Sequence, residues 1–82
     1  MIASINDKLK MEIKHDNVNL IITMVDNRHR SYKFNLETIV DKERFRQDVN
    51  ILELGMIIAR VYGVDFIYII RPIRDYVMIS DL

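Results

Sequence analysis

Arg28, His29 and Arg30 stand side by side in the stretch "VDNRHRSYKF", residues 25–34. An imidazole exchanges a proton near neutral pH, and guanidinium groups can hold charge that develops on a phosphate oxygen. If the first strand extends back far enough, Arg28 and His29 converge with Asp7, Lys8 and Asp26, a set with the make-up of a metal-independent phosphodiesterase, while Arg30 turns to the other side. The same residues also describe the polar tip of a hairpin. Neither a GxSxG nucleophile motif nor a glycine-rich phosphate loop accompanies them. Enzymatic chemistry is therefore the third reading, behind two non-enzymatic ones.

The second is nucleic-acid binding. Lys8, Lys10, Lys14 and Lys33 fall on one face of alternating segments, and Arg28 and His29 extend that face at the hairpin tip. Such a surface would grip phosphates in a salt-sensitive, sequence-neutral way. Glu12 interrupts it, and Tyr32 and Phe34, the aromatics a single-strand binder would stack on bases, alternate onto the other face. Arg44 and Arg46 in "DKERFRQD" read as a solvated helix face, and Arg71 and Arg74 flank Pro72. Twelve basic residues balance twelve acidic ones, so net charge names no partner.

No metal or cofactor is expected. The chain has two histidines and no cysteine. His15 and His29 follow different turns at opposite ends of a strand about 20 Å long, too far apart to ligate one ion.

The elements that position these residues follow from periodicity. Leu9, Met11 and Ile13 alternate with Lys10, Glu12 and Lys14, then Leu20, Ile22 and Met24 with Ile21 and Thr23, then Tyr32, Phe34 and Leu36 with Lys33 and Asn35. Period two marks three half-buried strands in an antiparallel meander. Keeping the apolar sets on one face requires an even-numbered first loop, assigned to Asp16 and Asn17, which sets Ile13 opposite Leu20 and Met11 opposite Ile22. The second loop must be odd: Asp26 to Arg28, or Asp26 to Arg30. Either places Ile22 opposite Tyr32, Leu20 opposite Phe34, Val18 opposite Leu36 and Met24 opposite Arg30. Positive φ is expected near Arg28.

A helix follows, capped by Thr38 or Asp41 and closed by Gly63, with Phe45, Val49, Leu52, Met56 and Ala59 on one stripe and a possible break near Asn50. Gly55 in its middle suggests close approach by another backbone. "VDFIYIIRP" then reads as a strand ended by Pro72, and "YVMIS" as a last edge strand. The expected fold is a single α+β domain over residues 1–82, ordered β-β-β-α-β-β.

Eighty-two residues, half of them hydrophobic and fourteen of them Ile, with no disulfide available, make self-association the natural source of added stability. The apolar surplus lies late in the chain. Ile51, Leu54, Gly55, Ile58, Tyr62, Ile67 and Ile69 are the expected interface of a homodimer. The longest apolar runs are too short to cross a bilayer and the first residues lack a signal-peptide core, so a cytoplasmic protein is expected. The leading expectation is a small non-enzymatic binding or regulatory protein that contacts itself and another protein.

Overall fold

A computed structural model describes residues 1–26, 28–38 and 48–80. It contains a four-stranded antiparallel sheet and two helices, an α+β composition. The chain divides into two compact units, the sheet of Met1–Thr38 and a helical unit that follows it.

The sheet is β1 (Ile2–Asn6), β2 (Leu9–His15), β3 (Asn19–Val25) and β4 (Arg30–Asn35), paired in chain order. A short 3₁₀ turn, Leu36–Thr38, follows β4. The third hairpin pairing coincides with the parity argument: Leu20 faces Phe34, Ile22 faces Tyr32 and Met24 faces Arg30. The Leu36 N–H also donates to the Val18 carbonyl at 2.9 Å, which continues that register.

The β2–β3 register is corrected. Ile13 faces Ile22 and Met11 faces Met24, because the ladder continues through the Asp16 N–H to the Asn19 carbonyl at 3.0 Å, leaving Asn17 and Val18 at the tip. The loop stays even-numbered, so every side chain keeps its face. What moved it is the Asp16 carboxylate, whose Oδ1 accepts the N–H groups of Val18 (2.8 Å) and Asn19 (2.7 Å). This makes Asp16 the first residue of the turn, whereas a turn centred on Asp16 and Asn17 would need positive φ at both. Among the described non-glycine residues only His29, at 50°, has positive φ.

That strain sits one residue beyond the expected Arg28. Asp26 Oδ1 accepts from the N–H groups of Arg28 (2.9 Å) and His29 (3.2 Å), the device seen at Asp16. It recurs at Asn6, which accepts from Lys8, and at Asn35, which accepts from Glu37. A short side-chain acceptor thus marks each reversal of the sheet.

β1 was missing from the periodicity argument. Ala3 faces Met11 and Ser4 faces Lys10, but the register shifts between Ser4 and Asn6, and the irregularity breaks the alternation that would have revealed the strand. One face of the sheet is buried: Leu9, Met11, Ile13, Leu20, Ile22 and Met24 are 5% exposed or less.

The helical unit comprises α1 (Val49–Tyr62) and α2 (Phe66–Ile79). Asp48 caps α1 by accepting from Asn50 (2.9 Å) and Ile51 (3.3 Å). Gly63, at φ 64°, ends it, with the Gly63 and Val64 N–H groups donating to the Arg60 and Ala59 carbonyls. This left-handed close is the one expected of that glycine. The expected helix start at Asp41, and Phe45, Arg44 and Arg46, lie outside the described residues.

The largest correction is at the C-terminal end. Residues 66–79 form a helix through Pro72, not two strands. Asp65 caps it through the Ile67 N–H at 3.1 Å, and Ile69, Ile70, Ile73 and Val77 recur at helical spacing with no exposure. Isoleucine costs a helix only a few tenths of a kcal/mol relative to the best formers, so this burial outweighs the strand preference of "FIYII". Close approach at Gly55 does occur, but to side chains: a Cβ there would lie 3.0 Å from Phe66 Cε2 and 3.2 Å from Ile70 Cδ1.

Candidate functional site

The basic residues separate in the sheet unit. Lys10, Lys14 and Lys33 occupy the face opposite the buried one, and Lys14 and Lys33 flank Ile21 in one cross-strand row. Two strands apart, their Cα atoms are about 10 Å from each other. Lys8 belongs to the β1–β2 turn, and Arg28 and His29 to the β3–β4 turn. All six are exposed. Glu12 lies among them and pairs with Lys14 at 3.8 Å. Tyr32 and Phe34 are half-buried and buried, so neither offers an open stacking surface.

For general acid/base chemistry the relevant grouping is Asp7, Lys8, Asp26, Arg28 and His29. The topology brings their two turns to one end of the sheet. Asp26, however, is engaged in holding its own turn through two backbone donors. His15 lies at the other end of β3, beside the β2–β3 turn. Among the described residues, no three His, Cys, Asp or Glu side chains gather at metal-binding separation.

Among the described residues, Asp16 is the one carboxylate whose proton affinity is clearly displaced. The N–H groups of Asn19 and Val18 stabilise its charged form and hold it below the ordinary value of 3.8. Because the folded value lies below the unfolded one, Asp16 supports the hairpin fully above about pH 4, and that support is lost as pH falls through the lower folded value. The Asn19 amide is expected to shift with the Asp16 titration in NMR spectra. Asp16→Asn should keep an acceptor at the turn and abolish that pH dependence.

The helical unit presents a different surface. Of the seven residues expected at an interface, Ile51, Gly55, Ile58 and Ile69 are buried, Leu54 and Tyr62 are half-buried, and Ile67 is exposed. Other large apolar side chains are open as well: Val49 (72% exposed), Met56, Ile57 and Val61 on α1, and Tyr68 (60%), Met78 and Ile79 (77%) on α2. Val49, Leu52, Met56 and Phe66, with Glu53 and Arg74, line an open groove of about 620 Å³. A second depression of about 250 Å³ lies along α2 between Ile67 and Met78, with Arg71, Arg74 and Asp75 in its walls.

The residues of the α2 surface escaped the sequence argument because a strand reading sends alternate residues to opposite faces. The signal was nevertheless present: Tyr68, Arg71, Asp75 and Met78 are spaced three, four and three apart, the period of a single helix stripe. Among the described residues, no helix is long and apolar enough to cross a membrane. Comparison with protein-family models, curated proteins and solved structures finds no match.

Proposed function

We propose that the protein is a small non-enzymatic binding protein that works through protein–protein contacts, the first of them with a second copy of itself. The observation that carries this reading is the apolar surface of the helical unit, where side chains on both helices remain 40–77% exposed. Scattered single apolar residues are normal on a surface, whereas groups of them on successive helical turns mark contact surfaces. The lysine face supports the nucleic-acid alternative less well, since Glu12 engages Lys14 and the aromatics of β4 are turned to the other side.

Sedimentation velocity at high micromolar concentration tests the proposal. A species of twice the chain mass that dissociates on dilution is expected; a monomer throughout would overturn it.

A further inference from the structure

Resting on that reading, we infer that two copies associate through the outer face of α2, antiparallel about a two-fold axis level with residue 73. The order of residues along this face carries the inference. Ile73 is buried on the inner side of α2, and at about 100° per residue the face opposite to it is formed by Ile67, Tyr68, Arg71, Asp75, Met78 and Ile79. All six are exposed. Numbered about residue 73, they form equidistant pairs: 67 with 79, 68 with 78, and 71 with 75. Apolar residues pair with apolar ones, and the single cation pairs with the single anion.

A two-fold axis brings residues ahead of its level on one copy against residues beyond that level on its partner, as an isologous contact requires. Placed at residue 73, it sets Arg71 of each copy against Asp75 of the other, twice, at the centre. On either side, Tyr68 of one copy packs against Ile79 of the other and Ile67 against Met78, so apolar residues still face apolar ones. A parallel arrangement would instead oppose Arg71 to Arg71 and Asp75 to Asp75. Within one chain, Arg71 and Asp75 form no ion pair with each other or with another described residue, so both charges remain available to a partner. The depression between Ile67 and Met78 adds a concave surface for apposed side chains. α2 is 14 residues long, about 21 Å, and side chains from both of its ends can join the contact.

Two charge reversals test this arrangement. Arg71→Asp places two acidic pairs at the centre of a homodimer, and Asp75→Arg places two basic pairs there. Each variant alone is expected to weaken association about tenfold or more, as like charges do when brought together at an interface. Mixed in equal amounts, the two should form a heterodimer with both central pairs restored, visible as the mixed mass in native mass spectrometry. The chain carrying both substitutions should dimerise like the wild type, which guards against a folding defect in either single variant. If the wild type is dimeric and both single variants associate unchanged, or if mixing recovers nothing, the α2 axis is wrong while the proposed self-association stands. A monomeric wild type would instead remove the reading on which this arrangement depends.

Discussion

Ile22→Asp is expected to unfold the sheet unit, whereas Ile21→Asp, one residue away, should leave it folded. Ile22 has no exposed surface and lies on the central strand β3 between Ile13 and Tyr32. A carboxylate there would be buried without a partner, or would have to take up a proton to remain. Either route costs about 4 kcal/mol or more, a large share of the stability of a small domain. Ile21 points to the opposite face, half-buried, with Lys14 on one neighbouring strand and Lys33 on the other. An aspartate there gains two opposite charges across the ladder while losing strand preference, so the net change should stay within about 1 kcal/mol. Urea denaturation followed by circular dichroism measures both. Comparable losses in the two variants would contradict the assignment of faces.

The second large effect concerns the approach of α2 to α1 at Gly55. Gly55→Leu should destabilise the helical unit by about 1–3 kcal/mol, the usual cost of overpacking a tight contact. A Cβ alone would come within 3.0 Å of the Phe66 ring and 3.2 Å of Ile70 Cδ1, leaving the rest of a leucine no space. Phe66→Ala removes the nearer obstacle. The double variant is therefore expected to lose less than the sum of the single losses, by about 0.5–3 kcal/mol for residues in direct contact. Additive losses would show that Phe66 does not limit the space at Gly55. Thermal denaturation monitored at 222 nm gives both quantities.

These two positions show where sequence reasoning succeeds and where it stops. Strict alternation around Ile13, Ile22 and Phe34 assigns the buried face directly, because a strand has only two faces and a one-residue slip would expose the whole apolar set. The register of β2 against β3 still moved, since two even-numbered pairings satisfy the same alternation. The choice between them rests on which backbone N–H groups the Asp16 side chain captures. Gly63 is legible as a helix end for a similarly local reason: positive φ is open to glycine at little cost.

The candidate surface was harder to read. Ile, Phe and Tyr favour strands by only a fraction of a kcal/mol per residue, and Pro72 is normally a break, so "FIYIIRP" reads locally as a strand and its stop. In the helix, Pro72 removes one backbone donor, from the bond that would otherwise reach the carbonyl of Tyr68. Tyr68 is 60% exposed, on the side where water can satisfy that carbonyl. Burial of Ile69, Ile70, Ile73 and Val77 on the other side supports the helix despite the lost bond.

By itself, then, the sequence determines the alternation of strands β2, β3 and β4, the face they bury, the parity of their loops and the end of α1, because each depends on neighbours within a few residues. Tertiary structure alone decides that residues 66–79 are helical. It also decides that Gly55 meets a phenyl ring and that Ile67, Tyr68, Met78 and Ile79 share an open face, because these depend on how α2 packs against α1 and which of its side chains are buried. Local preferences differ by tenths of a kcal/mol, and the burial of several isoleucines outweighs them.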